Sequence, residues 1–365
     1  MTRHLVVVLC MLMLCGFDAS AAKVVFRQAV PGRILTFPRD HGKHPDFQTE
    51  WWYFTGNLES KRGREWGFQL TFFRRGLAKK PARKSSAWGV TDLYPAHFAL
   101  TDVRNRAFFH KELISRGGPG LAEAAPNRLK VRVKDWSAEQ RGKTILIKAH
   151  EGEYALDLKL VPMKPVVLHG LSGFSRKGDE KGQASYYYSL TRLKALGTLR
   201  FKGTIHRVTG LAWMDHEFGS SILTRNQAGW DWFSLQLDDG TDLMVFHLRR
   251  KDGTFEQTFG TLVAGDGRTS DLSGQRIRIS PIGTWTSPHT KAVYPSGWRV
   301  EIPGRNIALK ITPLVQDQEL SSGASTGIIY WEGAVRAQGS RDGKEIKGKG
   351  YVELTGYARA IGAGL

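Results

Sequence analysis

A short run of residues in the second half of the chain combines an imidazole with carboxylates. Residues 213–218 read Trp-Met-Asp-His-Glu-Phe. On a β-strand, Asp215 would share one face with Trp213, and His216 would share the other with Phe218. An imidazole beside a carboxylate can give and take protons near neutral pH. We therefore predict Asp215 and His216 as catalytic residues; the alternative is a buried histidine satisfied by a backbone carbonyl.

A third candidate catalytic residue is the carboxylate that precedes an aromatic run near the start of the chain. Glu50 is followed by Trp-Trp-Tyr-Phe, and on a strand it would share a face with Trp52. A carboxylate held beside indole rings loses hydration, so its pKa would rise and it could act as an acid. The alternative is structural: an aromatic cluster closes one end of a barrel, and Glu50 bonds a basic side chain across it.

A second aromatic–acidic run, Trp230-Asp231-Trp232, lies shortly after the first. Its rings could line an interface, with Asp231 as a further acid; the alternative is core packing at a domain junction. The predicted substrate-binding residues are aromatic apart from one acid, and they are Trp52, Tyr53, Trp213, Phe218, Trp230, Asp231 and Trp232.

A metal centre is disfavoured. His44, His216 and a carboxylate could supply ligands, but no His-x-x-x-His spacing occurs in the chain. We expect neither a metal nor an organic cofactor.

The elements that must position these residues are short strands. Runs rich in Trp, Tyr, Phe, Val, Ile and Thr are separated by turns that contain glycine. Asp239-Gly240, for example, lies between two such runs and predicts a tight hairpin. Successive hairpins commonly close into a barrel, which removes exposed strand edges. We predict an all-β, antiparallel fold.

An internal duplication is visible in the sequence. Several landmarks of the first half recur in the same order in the second, with an offset that shrinks along the chain. The clearest are residues 52–54 with 230–233, residues 74–75 with 249–250, and residues 210–216 with 350–356.

The duplication predicts two barrel domains, at residues 23–218 and 219–365. In this matching Thr355, Gly356 and Tyr357 stand opposite residues 215–217, so we expect the chemistry in the first domain.

Residues 1–22 are predicted to be a signal peptide. They combine a basic start, a short apolar run and the small residues Ala19-Ser20-Ala21-Ala22. The apolar run is shorter than the roughly 20 residues that span a bilayer. The bulky Leu14 before Cys15 disfavours lipidation. Cleavage would remove both cysteines and leave a periplasmic or secreted protein without disulfides.

The formal net charge is +19, and the basic residues are scattered at predicted turns. This pattern is typical of a solvated surface, with attraction to an anionic envelope surface as the alternative. Export and the lack of a recognisable binding module argue against a nucleic-acid partner.

Three strings together resemble the AttH/CrtC-like family, whose members are often described as secreted hydrolases or as carotenoid 1,2-hydratase-like. They are His44-Pro45-Asp46, the run from Thr49 to Leu58, and Trp213-x-Asp-His-Glu-Phe-Gly219. The resemblance implies two consecutive lipocalin-like β-barrels and a hydrophobic small-molecule partner, a lipid or an isoprenoid.

In the carotenoid hydratases of this family, a His-x-Trp pair and a Tyr-x-Asp pair are associated with activity. His216 matches the histidine, but Phe218 stands where the tryptophan would be. Tyr330-x-Glu332 and Tyr351-x-Glu353 only approximate the second pair.

The function predicted from these observations is a cofactor-independent hydratase or hydrolase that acts on a hydrophobic substrate by acid catalysis. The alternative is a lipocalin-like carrier of a hydrophobic ligand in the cell envelope. An envelope assembly factor also fits the charge and the export signal.

Overall fold

The computed structural model describes residues 25–77, 90–220, 223–273 and 276–361. The predicted signal peptide, residues 1–22, lies outside them. Within these ranges, no helix has the length and apolar character needed to cross a membrane.

Antiparallel strands make up nearly all of the regular structure. In the described ranges the helices are two single 3₁₀ turns, Arg39–His41 and Pro303–Arg305. The first sheet contains β1 (Thr49–Ser60), β2 (Glu65–Gly76), β3 (Asp92–Asp102), β4 (Ala107–Arg116), β5 (Ala122–Ala124), β6 (Lys130–Val133), β7 (Trp136–Arg141), β8 (Thr144–Glu151), β9 (Tyr154–Pro162), β10 (Val167–Leu168), β11 (Phe174–Arg176), β12 (Ala184–Phe201) and β13 (Thr204–Gly219).

The second half of the chain forms a separate sheet and a short ribbon. The sheet contains β14 (Gln227–Leu237), β15 (Asp242–Arg250), β16 (Phe255–Val263), β17 (Thr269–Asp271), β18 (Arg278–Pro281), β21 (Trp298–Ile302), β22 (Ile307–Pro313), β23 (Glu319–Ser321), β24 (Ile329–Arg341) and β25 (Lys344–Thr355), and the ribbon pairs β19 (Thr284–Thr286) with β20 (Val293–Pro295).

The two sheets have related topologies. The first runs β4-β3-β2-β1-β13-β12-β9-β8-β7-β6-β5 and is a nearly closed barrel. The second runs β17-β16-β15-β14-β25-β24-β22-β21-β18 and is a half-barrel. The predicted all-β fold of two consecutive barrels is therefore confirmed, with the second barrel open. The domain division drawn at residues 218 and 219 lies at the end of β13, and β14 begins at Gln227.

The outward faces of the central strands pack against each other. On β1, Trp52 and Phe54 point into the first barrel, whereas Tyr53 points toward the second sheet and contacts Trp232 edge-on, with ring centroids 5.4 Å apart. Tyr187 and Phe246 join this layer. Burying an aromatic side chain contributes about 1.5–3 kcal/mol, so the layer holds the barrels together. We call it the seam.

The strand pairing corrects the matching of the two copies. Phe54 and Phe233 both point into their own cores, and the preceding residues, Tyr53 and Trp232, both face the seam. Tyr53 pairs with Asp215 on β13, and Trp232 pairs with Glu353 on β25.

The counterpart of Asp215 is therefore Glu353 rather than Thr355, and the counterpart of His216 is Leu354 rather than Gly356. The sequence matching was wrong by two residues here, because sequences of alternating strands slip by two without changing faces. The second copy does contribute an acid to the seam.

Candidate active site

A cavity of about 230 Å³ lies in the seam between the two sheets. We call it the seam pocket. Its walls are mainly aromatic, and four carboxyl groups project into this apolar surface. The aromatic residues include Trp51, Tyr53, Phe73, Tyr187, Trp230, Trp232, Phe246 and Tyr330, and the acids are Asp215, Glu217, Glu332 and Glu353.

Glu332, on β24, is the most unusual of these acids. It is 2% exposed, and its Oε1 accepts a hydrogen bond from the hydroxyl of Tyr53. Its Oε2 has no hydrogen-bond partner in the described part of the chain. Burial and the facing carboxyl of Glu353 raise the pKa of Glu332 well above its usual range. This shift favours the protonated, neutral form of the Glu332 carboxyl group, and the second oxygen is placed to donate that proton.

Two further acids titrate near neutrality. Burial raises the pKa of Glu353 to about 7, although the indole N–H of Trp230 donates to its Oε2 at 2.9 Å. Glu353 lies directly opposite Glu332 on the paired strands β25 and β24. Burial also raises the pKa of Asp215 to about 7. These groups can both release and accept a proton at physiological pH.

The carboxyl group of Asp215 is held by three donors. The hydroxyl of Tyr187 donates to Oδ2 at 2.7 Å, and the indole N–H of Trp213 donates to Oδ1 at 2.6 Å. The hydroxyl of Ser189 also donates to Oδ1. Trp232 in turn donates to the oxygen of Tyr187 at 3.0 Å, so an indole from the second barrel fixes an acid of the first. These bonds lower the pKa and partly offset the effect of burial.

A lysine neutralises the fourth acid of the pocket. Lys177 Nζ lies 2.9 Å from Glu217 Oε1 and sits over the ring of Phe246, 4.4 Å from its centroid. Among the described residues, Lys177 is the lysine that lines the seam pocket, and it is paired with Glu217.

His216 and Glu50 lie on the other side of β1 and β13, inside the first barrel. Neither has any exposed surface. His216 Nε2 donates to Glu50 Oε1 at 2.8 Å, and His216 Nδ1 lies 2.7 Å from the hydroxyl of Tyr188. His44 Nδ1 bonds the same Glu50 oxygen at 2.7 Å, and Arg74 Nε donates to Glu50 Oε2 at 2.9 Å. We call this group the barrel network.

The charge state of the barrel network differs from the one predicted. Burial alone would raise the pKa of Glu50, but His44, His216 and Arg74 outweigh it and hold that pKa well below the usual range. Glu50 is therefore ionised and not the neutral acid predicted from its tryptophan neighbours. Glu50 does bond a basic residue, but Arg74 is its directly paired neighbour on the adjacent strand β2 and does not reach it from across the barrel.

The ligand atoms of His44, Glu50 and His216 lie within 4.8 Å of one another and so have the spacing of a metal site. Both imidazoles, however, direct a nitrogen at the same Glu50 oxygen. His44 also bonds Asp40 through its second nitrogen, at 3.0 Å. A histidine whose two ring nitrogens both bond carboxylates is an imidazolium. Burial lowers the pKa of His44, but Glu50 and Asp40 outweigh burial and raise that pKa. A protonated His44 does not fit as a metal ligand.

Asp231, the acid predicted in the second barrel, also faces away from the seam pocket. Its Oδ2 accepts bonds from Tyr357, at 2.9 Å, and lies 3.2 Å from His247 Nε2. Arg249 lies 3.9 Å from the other oxygen. This buried group resembles the barrel network in composition.

The predicted site residues thus fall into two groups. Four of them line the seam pocket: Tyr53, Asp215, Trp230 and Trp232. Trp213 lies behind Asp215 and donates a hydrogen bond to it. The remainder point into a barrel: Glu50, Trp52, Phe218 and His216 into the first, and Asp231 into the second.

Sequence analysis predicted Trp230 and Trp232 of the second barrel but missed the acids that this barrel contributes. Glu332 and Glu353 carried a signal, since each ends a Tyr-x-Glu string that approximates the family's Tyr-x-Asp. Ser325, which also lines the pocket, lies in a Gly-x-Ser-x-Gly string at residues 323–327 that sequence analysis overlooked. His97 carried no sequence signal.

Two barrels of related topology, with a carboxyl-rich, aromatic pocket between them, define the class of this protein. The AttH-like family profile matches residues 28–357, and the chain belongs to that family. It is 40% identical to an AttH-type protein of Nitrosomonas europaea, whose crystal structure it matches with a TM-score of 0.81 over 91% of this chain and 100% of that one.

Two more distant proteins share the fold. Kievitone hydratase of Nectria haematococca matches at 16% identity with a TM-score of 0.68, over 92% of this chain and 97% of that one. CghA, in a crystal structure with Sch210972, matches at 13% identity with a TM-score of 0.53, over 85% and 89%. A search of curated proteins found no match.

Proposed function

We propose that this protein is a cofactor-independent hydratase that adds water to a carbon–carbon double bond of a hydrophobic lipid or isoprenoid in the seam pocket. One observation carries the proposal. Glu332 is a buried carboxylic acid in a pocket with aromatic walls: burial raises its pKa well above the usual range, Tyr53 bonds one oxygen, and the other has no partner among the described residues. Such a group can protonate an unreactive alkene.

The proposed reaction balances within the pocket. The π-electron pair of the alkene takes the proton from Glu332 and leaves a carbocation on the neighbouring carbon. The aromatic walls stabilise this cation by about 0.5–2 kcal/mol for each ring face it meets. A water oxygen then bonds to the cation and gives a proton to the Asp215 carboxylate. Since burial raises the pKa of Asp215 to about 7, a sizeable ionised fraction is available at neutral pH.

The family and the shared fold support this reaction class. Kievitone hydratase, which has the same fold, is by its name a hydratase. The resemblance to carotenoid hydratases noted in the sequence points the same way. Our proposal assigns the proton transfer to Glu332 instead of His216. The side chain of His216 points from β13 into the first barrel and does not line the seam pocket.

The test begins with the ligand. Native mass spectrometry of the purified full-length chain would identify any retained lipid. That lipid, or a panel of polyenes and isoprenoids, would then be incubated with the protein in ¹⁸O-labelled water. A hydratase adds one labelled water to the substrate, whereas a carrier retains the ligand unchanged. Retention without label across the panel would contradict the hydratase and favour the carrier.

We also propose that the mature protein begins near Ala22 or Lys23 and works in the periplasm or outside the cell, on the basis of the small-residue site at residues 19–22. N-terminal sequencing of the natural protein checks this. A cytoplasmic protein that retains Met1 would contradict it.

A further inference from the structure

A chain of side chains leads from the outside of the first barrel to the seam pocket. Glu112, on β4, is half-exposed, and its Oε2 accepts a hydrogen bond from Ser325. Ser325 Oγ lies 2.9 Å from His97 Nε2, and His97 Nδ1 lies 2.7 Å from the hydroxyl of Tyr330. Tyr330 lines the pocket, two residues before Glu332 on the same face of β24.

We propose that Glu112, Ser325, His97 and Tyr330 form a proton relay between solvent and the seam pocket. The proposal rests on the proposed function, in which two carboxyl groups must return to their starting protonation states after each turnover. Each turnover takes a proton from Glu332 and places one on Asp215, so the first must be reprotonated and the second deprotonated. An apolar substrate in the pocket limits the access of bulk water beyond the molecule that reacts, so a route through side chains can exchange these protons with solvent.

The chemistry of the four groups suits this task. Each of the two hydroxyls can accept a proton on one side while it donates on the other. A neutral imidazole does the same with its two nitrogens. Burial lowers the pKa of His97 to about 3, so the ring is neutral at pH 7. Two rings, of Phe73 and Tyr330, pack against it and fix its orientation.

The same facts argue against Ser325 as a nucleophile, although it lies in a Gly-x-Ser-x-Gly string. A general base that activates serine needs a pKa near the working pH, which His97 lacks. The string lies in the loop between β23 and β24 and not at a strand-to-helix turn.

The relay is built across the seam. His97 and Glu112 belong to the first barrel, and Ser325 and Tyr330 belong to the second. Ala324 N also donates to Glu112 Oε1, at 3.1 Å, and anchors the serine loop on β4. The two barrels must therefore be docked for the route to be continuous.

The relay can be tested without a substrate. Histidine side chains would be labelled with ¹⁵N, and exchange of the His97 ring N–H with water would be measured by NMR, with the signal assigned by a His97→Gln variant. We expect Ser325→Ala and Glu112→Gln each to slow this exchange at least tenfold. Ser325→Thr, which keeps a hydroxyl, should restore it.

Two controls separate the relay from general loosening of the structure. Thr326→Ala alters the same loop but changes none of the four relay residues, and it should leave the exchange of the His97 ring N–H unchanged. His216, which has no exposed surface and is enclosed in the barrel network, should exchange slowly in every variant.

His97 exchange within twofold of the wild type in both Ser325→Ala and Glu112→Gln would overturn the relay, because water would then reach His97 from the pocket. Since no turnover is measured, a failure of the hydratase proposal would leave this result interpretable.

Discussion

The proposed chemistry depends on the carboxyl group of one residue, Glu332. Glu332→Gln keeps the shape and the bond from Tyr53 but removes the transferable proton. We expect turnover to fall by about 10²–10⁴-fold with ligand retention unchanged, which is the usual loss when a general acid is removed. The rate of ¹⁸O incorporation checks this.

A matched control is available in the second barrel. Glu319 is also buried, and it accepts bonds from Thr290 and Tyr294 at 2.7 and 2.8 Å, away from the seam pocket. Glu319→Gln should leave turnover per folded molecule unchanged. Equal loss in both variants would show that a buried carboxylate, and not this one, is required.

Asp215 should make stability fall as pH rises. Burial raises its pKa from 3.8 to about 7, so between these pH values the folded protein binds a proton that the unfolded chain has lost. Its stabilising effect is complete below about pH 4 and is lost as pH rises through 7. The free energy of unfolding of the wild type relative to Asp215→Asn should therefore decline by up to about 1.4 kcal/mol per pH unit in that window. Urea unfolding over a pH series measures the difference.

Asp40 provides a control of opposite sign. Burial would raise its pKa, but bonds from His44, Arg39 and Arg33 and from the backbone of Thr36 lower it well below the usual range. Asp40→Asn should cost stability at neutral pH, and the cost should shrink as the solution is acidified. A flat difference for Asp215→Asn across the same series would show that its carboxyl is ionised throughout.

At the scale of elements, the alternation of β13 separates the two sets of polar residues. The strand puts Asp215 in the seam and His216 in the barrel network. His216→Ala would leave Glu50 without one donor and Tyr188 without one partner, and we expect a cost of about 1–3 kcal/mol. Turnover in the folded fraction should be retained. Thermal unfolding and turnover, measured on the same sample, distinguish this from the catalytic role predicted for His216 from sequence.

The sequence predicted the alternation of β13 correctly, but not which face meets the ligand. A strand pattern shows that two faces differ, and the position of the second barrel decides which of them lines a pocket. The charge of Glu50 escaped prediction for a similar reason. Its aromatic neighbours are adjacent in sequence, whereas Arg74 and His216 reach it from β2 and β13.

The strands and turns themselves were largely predictable. Asp239-Gly240 turns the chain between β14 and β15, with Gly240 at a φ of 84°, in the left-handed region that glycine favours. The register between the two copies was not predictable, because β-strands repeat every two residues and offer several equivalent alignments. The acid at Glu353 was hidden by that ambiguity.

At the scale of the whole molecule, the seam couples the two barrels. Trp232 is 6% exposed, contacts Tyr53 and Trp213, and donates to Tyr187. We expect the wild type to unfold in one calorimetric transition, with equal calorimetric and van 't Hoff enthalpies. Trp232→Ala removes about 3–5 kcal/mol of packing and should separate the barrels into two transitions.

Phe233 is the neighbour of Trp232 on the other face of β14, inside the second barrel. Phe233→Leu should lower the melting temperature while a single transition is kept. Two transitions in the wild type would mean that the seam is too weak to make the barrels cooperate.

The location of the pocket has a consequence for how such a protein can diversify. The lumen of the first barrel is filled by its own core and by the barrel network, so the seam pocket, our proposed ligand site, lies outside it, where two copies of one unit meet. Outward-facing positions such as Asp215 and Glu353 can change without disturbing either interior. A duplicated barrel of this kind can acquire new substrates by altering one copy's outer wall while the other copy keeps its own. Its adaptable surface is an interface that a single barrel does not possess.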